Sequence, residues 1–113
     1  MVPGDVDRAL ALPPDEAAER LSVLPEDQWF ERKAGRISAR DLAVPLIAMA
    51  NAEGGYVAVG IHDGVVDGVA APHINALRQA AQDFTSPVVR CTATEFEVSD
   101  GRVVLVFRID PGE

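Results

Sequence analysis

Three carboxylates, Glu26, Glu31 and Asp63, are the residues of this sequence best suited to chemistry. Glu31 lies in a short alternating stretch and Asp63 follows a valine-rich stretch, so both are expected near strand ends. Carboxylates that converge near a glycine turn can bind a divalent metal ion, which polarises a phosphate or a bound water. Spacing alone favours a simpler interpretation, in which the acids are solvated and Lys33 pairs with Glu31.

A basic segment follows the first two acids. Residues 28–40 contain one acidic side chain, whereas the whole chain has a net charge of −8. That overall charge argues against a general affinity for nucleic acid, because such binding depends on neutralising phosphates. The segment is either a solvated surface or a local phosphate contact. Its candidate nucleic-acid-binding residues are Arg32, Lys33, Arg36 and Arg40.

Three further side chains have ambiguous roles. His62 precedes Asp63, but strand alternation places them on opposite faces, which disfavours an acid–base pair. Trp29 is more typical of a core anchor than of a base-stacking platform. Cys91 is the one cysteine, so it has no partner for an internal disulfide or a thiolate metal site.

The elements that must position these residues follow from hydrophobic periodicity and turn signals. The pattern predicts the order α, α, β, α, β, β, α, β, β, which defines an α+β domain with helices against a mixed sheet. Predicted helices cover residues 5–12, 15–24, 39–50 and 72–84. Predicted strands cover residues 28–33, 56–62, 65–69, 88–98 and 102–109. A structural turn is expected at Asn51, Glu53, Gly54 and Gly55, where glycine permits a left-handed helix cap.

Length and composition indicate one domain spanning residues 1–113, with 48% hydrophobic residues. No stretch has the length and apolarity of a membrane span, and the first residues lack the pattern of a signal peptide. With a single cysteine, these features predict a cytoplasmic protein. The sequence stops directly after a strong strand, and we interpret it as the N-terminal part of a longer protein.

Three segments, in order, resemble the AlbA-like (AlbA_2) domain of Schlafen proteins and of bacterial regulators, over about residues 15–110. The first is PEDQWFERK, with Glu26, Glu31 and Lys33 at the family's E-x-x-x-x-E-x-K spacing. The second is the helix end AMANAEGG, and the third is GIHD followed by a turn and Gly68. The family usually has an aromatic residue where this chain has Arg32, and threonine is common where Ala52 stands.

The resemblance implies a two-layer sandwich similar to the archaeal chromatin protein Alba. Bacterial members are described as DNA-binding or ATP-binding modules of transcriptional regulators, and vertebrate relatives are endoribonucleases that act on transfer RNA. By residue-to-residue match, Glu26, Glu31 and Asp63 would be the metal-binding and catalytic acids, holding Mg²⁺ or Mn²⁺. ATP is not expected, because the sequence has no G-x-x-x-x-G-K-[ST] loop.

The sequence therefore leaves three functions open. We favour a nucleic-acid-interacting regulatory module that binds DNA or RNA. The first alternative is a divalent-metal-dependent endoribonuclease that uses the three acids; the vertebrate nucleases join two such lobes, and a homodimer could supply the second lobe here. The other alternative is a dimerisation or interaction domain without nucleic acid.

Overall fold

The computed structural model describes residues 4–112 and has the predicted α+β architecture. Within that range the helices are α1 (Gly4–Leu10), α2 (Pro14–Val23), α3 (Ala39–Asn51), α4 (Ala71–Arg78) and α5 (Ala80–Phe84). The strands are β1 (Phe30–Lys33), β2 (Gly55–Val59), β3 (Ile61–His62), β4 (Val65–Val66), β5 (Cys91–Glu97) and β6 (Val103–Ile109). No helix in this part of the chain is long and apolar enough to cross a membrane.

The main sheet has four strands in the order β1-β2-β6-β5. β1 runs parallel to β2, and the other two pairs are antiparallel, so the sheet is mixed, as predicted. β2 is central, which agrees with its apolar character on both faces. β1 and β5 are the edge strands, and β3 and β4 form a separate hairpin.

Alternation along the central strands divides the core between the two faces of the sheet. Val57 and Val59 pack in a cluster with Leu42 and Leu46 of α3. Tyr56 and Ala58 point to the other face, where a second cluster includes residues of α1 and α2. Helices α3 to α5 and the sheet form the predicted two layers, and the N-terminal helices add a layer on the second face. At roughly 1.5–3 kcal/mol for each large apolar side chain, burial on both faces is the main stabilising contribution.

Local sequence signals explain how α3 begins and continues. Ser38 is its N-cap and accepts a hydrogen bond from the Asp41 amide at 3.0 Å. Asp41 also lies in the first turn, where negative charge interacts favourably with the helix dipole. The helix runs without interruption past Pro45, which is buried in its middle. Proline is accommodated there at the cost of one hydrogen bond to the preceding turn.

Two predicted elements each divide into two in the structure. The strand expected over residues 56–62 divides at Gly60, whose φ of 105° turns the chain out of the main sheet. The helix expected over residues 72–84 divides at Gln79, where the backbone leaves helical geometry. Periodicity did not detect either break, because apolar residues continue on both sides. The first break directs β3 and the following turn toward β1.

Candidate functional site

A groove runs beside the edge strand β1 and gathers most of the predicted site residues. It is a cavity of about 540 Å³ between β1, the segment that precedes it and the β3–β4 turn. The three predicted acids Glu26, Glu31 and Asp63 all line it, although Asp63 is distant from the others in sequence. The complete lining is Glu26, Asp27, Phe30, Glu31, Arg32, Lys33, His62, Asp63 and Gly64.

Glu26 is fixed by the backbone of the edge strand. Its Oε2 accepts a hydrogen bond from the Arg32 amide at 2.7 Å. The main chain of Asp27 forms a short bridge with Phe30, with an amide-to-carbonyl distance of 3.1 Å. Together these contacts satisfy outward-facing backbone groups of β1, which would otherwise be open to pairing with another strand. Glu26 therefore has a structural role as well as a position in the groove.

Arg32 connects the same segment to α2. Its guanidinium donates hydrogen bonds to the carbonyl of Leu21 at 3.0 Å and to that of Leu24, at the helix C-terminus. It also lies over the Phe30 ring, 5.3 Å from the ring centre. A cation at this position compensates the unpaired carbonyls and the negative end of the helix dipole. The side chain that replaces the family's usual aromatic residue thus stabilises the approach to the groove.

Glu31 and Lys33 share one face of β1, as alternation predicted. Lys33 Nζ lies 3.0 Å from Glu31 Oε2, and each side chain is a little over one-third exposed. An ion pair with this exposure contributes about 0–1 kcal/mol to stability. The weak pairing leaves both groups available to a ligand.

His62 and Asp63 contradict the prediction that they lie on opposite faces. His62 Nε2 is 3.3 Å from Asp63 Oδ2, and both residues line the groove. Alternation fails here because Asp63 belongs to the hairpin turn, with a φ of 51°, and no longer to a strand. Asp63 and Gly64 both have positive φ, the geometry of a tight Asp-Gly hairpin. The Asp63 side chain is 86% exposed.

The four basic candidates do not act as one patch. Arg32 and Lys33 line the groove. Arg36 is exposed in the loop after β1 and makes no hydrogen bond or ion pair with another described residue. Arg40 is on α3, and its guanidinium lies 4.9 Å from the centre of the Phe84 ring on α5. Contact of these four residues with nucleic acid stays a prediction.

The donor chemistry of the groove fits a hard divalent cation, since carboxylate oxygens are the ligands that Mg²⁺ and Mn²⁺ favour. However, no three His, Cys, Asp or Glu side chains within residues 4–112 lie close enough to hold a metal ion. Glu26, Glu31 and Asp63 each interact with a different neighbour, as described above. A metal would therefore have to draw these exposed side chains inward from the walls of the groove.

The glycine turn before β2 sets the position of that strand. The amide of Gly54 donates to the Met49 carbonyl at 2.8 Å, and Gly54 has a φ of 83°. A Cβ on Gly54 would lie 2.6 Å from the Ile109 carbonyl oxygen, and one on Gly55 would lie 2.9 Å from the Trp29 oxygen. The turn therefore lets β2 enter between its neighbours. Asn51 is the last residue of α3, and Glu53 is exposed beside the turn.

Sequence reasoning missed Asp27 and misjudged Trp29. Asp27 lines the groove, and its Oδ1 accepts a hydrogen bond from the Trp29 amide at 2.7 Å. An aspartate two residues before the bonded amide is a recognised turn signal, so this contact was detectable. Trp29 is partly exposed and belongs to neither core cluster, contrary to the expected core anchor.

The fold and groove define an α+β domain with acidic and basic side chains gathered at one edge of a mixed sheet. A family model for the Schlafen AlbA_2 domain matches residues 26–113, which is most of the chain. The chain therefore belongs to the Schlafen AlbA_2 family, as its motifs predicted. No curated protein matches it.

Proposed function

We propose that this chain is a nucleic-acid-interacting module and that it meets phosphate groups in the groove beside β1. Membership of the Schlafen AlbA_2 family supports a function related to nucleic acid. The observation that carries the proposal is the convergence of Glu26, Glu31 and Asp63 with Lys33 around one cavity. We also propose that this module is part of a transcriptional regulator.

The charge of the groove decides how such contact would work. Four carboxylates line it, from Glu26, Asp27, Glu31 and Asp63, against the two permanent cations of Arg32 and Lys33. Phosphate would be repelled by this excess of negative charge, particularly on a chain of net charge −8. A divalent cation held by the carboxylates would offset the repulsion and polarise the phosphate. We therefore expect binding to require Mg²⁺ or Mn²⁺.

The same convergence favours a second candidate function, a metal-dependent endoribonuclease. In that case Glu26, Glu31 and Asp63 would hold the metal, and Lys33 would donate hydrogen bonds to a phosphate oxygen. Lys33 is already directed to the acids by its contact with Glu31. Binding and cleavage would then share one groove, so a single set of variants tests both functions.

The experiment compares Glu31→Ala with Glu95→Ala. Glu95 is a matched control because it lies on the opposite edge strand, is 44% exposed and pairs with Arg78 at 3.3 Å. Each variant is incubated with transfer RNA and with duplex DNA, in Mn²⁺ or in EDTA. Cleavage that requires Mn²⁺ and is lost only in Glu31→Ala would establish the nuclease. Binding without cleavage, weakened by salt and by Glu31→Ala, would support the module.

A negative result would favour the interaction domain over both the nucleic-acid-binding module and the nuclease. If no nucleic acid binds or is cleaved at micromolar protein with Mn²⁺, the proposal is wrong, and a dimerisation or interaction domain becomes the better explanation. Equal effects of Glu31→Ala and Glu95→Ala would also count against the groove, because they would show a response to net charge alone. Sedimentation of the same samples measures the oligomeric state.

A further inference from the structure

A second cavity lies close to the groove, where the start of β1 meets the end of α3. Its volume is about 290 Å³, and its walls are Gln28, Trp29, Ala52 and Glu53. Gln28 and Trp29 fall between Asp27 and Phe30, which both line the groove. We call this cavity the Trp29 cleft. The main chain thus passes directly from one cavity to the other.

The main chain of Trp29 is held by two hydrogen bonds, and its side chain lies outside the core clusters. Its amide donates to Asp27 Oδ1 at 2.7 Å, and its carbonyl accepts from the Tyr56 amide at 2.8 Å. The indole is partly exposed and outside both core clusters, and its N–H makes no hydrogen bond with another residue of the described range. These contacts fix the main chain at Trp29, and the indole presents aromatic surface that core packing does not cover.

The other walls supply polar groups suited to a base edge. Gln28 and Glu53 are exposed, and neither side chain is engaged by another residue in the described part of the chain. A glutamine amide both donates and accepts hydrogen bonds, and a glutamate accepts them from exocyclic amino groups of bases. Ala52, the remaining wall residue, has a small side chain. Aromatic surface beside unpaired donors and acceptors is the chemistry of a nucleobase site.

The chain connection relates the cleft to the groove. Trp29 lies in the turn before β1, two residues before Glu31, so their Cα atoms are at most about 7 Å apart. A base in the cleft would therefore lie close to a phosphate in the groove. In a duplex the base faces are already stacked and the pairing edges are occupied, so the cleft suits an unpaired base.

We propose that the Trp29 cleft binds an unpaired base of single-stranded nucleic acid, stacked on the indole, while the adjoining phosphate lies in the groove. This inference rests on the proposed function, and it specifies the substrate class. RNA and DNA share the required chemistry, since both present a base face and a phosphate. Stacking on an aromatic side chain tolerates different bases, so any base preference at this position would come from Gln28 and Glu53, which favour a base with an exocyclic amino group.

Trp29 is the only tryptophan of the chain, so its fluorescence reports on the cleft alone. The native protein is titrated with single-stranded RNA, single-stranded DNA, duplex DNA and a single strand that contains abasic sites. Each titration is made in Mn²⁺ and in Ca²⁺, a second divalent cation that carboxylates bind. Binding is followed in parallel by the anisotropy of a labelled strand. We expect fluorescence quenching by both single strands, and little quenching by the duplex or the abasic strand. A difference between RNA and DNA would identify the preferred sugar.

Two variants complete the test. Trp29→Leu should weaken single-strand binding about 5- to 150-fold, the range expected for one stacked base, and Trp29→Phe should recover most of that loss. Phe84→Leu is a control for removal of a partly exposed aromatic residue that lines neither the groove nor the Trp29 cleft. Circular dichroism verifies that each variant is folded. If Trp29→Leu misfolds, quenching of the native protein still decides the question.

Failure of the Trp29 cleft and failure of the proposed function would give different results. Strand binding by anisotropy without quenching, or with unchanged affinity in a folded Trp29→Leu, would overturn the Trp29 cleft and leave the proposed function intact. Equal quenching by intact and abasic strands would also overturn it, since no base would be involved. Absence of binding to every strand, in Ca²⁺ and in Mn²⁺, would remove the proposed function and this inference together.

Discussion

At the scale of single residues, Tyr56 and Asp7 join the N-terminal helices to the centre of the sheet. The Tyr56 hydroxyl lies 2.9 and 3.0 Å from the two Asp7 carboxylate oxygens. Burial raises the pKa of Tyr56, and the hydrogen bond and negative charge of Asp7 raise it further. The folded protein therefore retains this proton to a higher pH than the unfolded chain does.

The raised pKa of Tyr56 predicts that the protein becomes less stable at high pH. As the pH rises above about 10, the unfolded chain loses the tyrosine proton first, so the free energy of unfolding should fall. Tyr56 is the only tyrosine, and tyrosinate absorbance during a pH titration measures its pKa directly. Asp7→Asn should lower the titration midpoint of the folded protein. A midpoint equal to that in denaturant would contradict the contact.

The contacts of the Arg32 guanidinium with the end of α2 give a second prediction about a single residue. Arg32→Met keeps the aliphatic stem beside Phe30 but removes the donors to the end of α2, so it should reduce the free energy of unfolding by about 1–3 kcal/mol. Arg36→Met is the control, because Arg36 is exposed, and its cost should stay within about 0.5 kcal/mol. Urea unfolding measures both. Equal losses would show that the guanidinium does not stabilise the helix terminus.

At the scale of elements, the entry of β2 depends on the absence of a side chain at Gly54. Gly54→Ala should be destabilising for two reasons: a positive φ and a Cβ 2.6 Å from the Ile109 oxygen. Gly101 has a φ of 90°, and a Cβ there meets nothing within 4 Å. Gly101→Ala should therefore cost about 1–2 kcal/mol for the backbone alone. Gly54→Ala should cost about 1–3 kcal/mol more, because the sheet must shift.

Thermal or urea unfolding of the two glycine variants tests this difference. Since both positions have similar φ, subtracting the two free energies isolates the close approach of β2 and β6. Gly54→Ala and Gly101→Ala could instead lower the free energy of unfolding equally. Glycine would then be needed at Gly54 only for its positive φ, and the register between Gly55 and Ile109 would be set elsewhere in the sheet.

Sequence patterns predicted element types well because burial leaves a clear signal: the amphipathic spacing of α3 and the continuous apolar run of the central strand β2. They failed at Gly60 and Gln79, where the chain changes direction inside an apolar stretch. For the site, motif spacing selected Glu26, Glu31 and Asp63, which line one groove. The contact of His62 with Asp63 and the exposure of Trp29 depend on turn geometry and on packing between distant segments, which periodicity does not encode.

At the scale of the whole molecule, the matched family region and the folded unit have different limits. The family model begins at Glu26, yet Val6 and Leu21 are fully buried against the sheet. Removing residues 1–25 would uncover Phe30 and the other apolar side chains on that face. We expect the truncated protein to lose its cooperative unfolding transition or to aggregate, as seen by circular dichroism and light scattering. A monodisperse protein with a native-like transition would show that α1 and α2 are dispensable for folding.

Point variants on α2 test the same idea without removing the chain. Leu21 is fully buried and Val23 is 69% exposed on the same helix, so the pair separates packing from helix propensity. Leu21→Ala should lower the free energy of unfolding by about 2–5 kcal/mol, because it leaves a cavity against the sheet. Val23→Ala should change it by no more than about 0.5 kcal/mol.

If α2 instead docks weakly, both variants will have small effects on the free energy of unfolding, and the groove should retain its ligand affinity in each. If α2 is part of the core, Leu21→Ala should also disturb the groove, since Arg32 and Glu26 connect the end of that helix to β1.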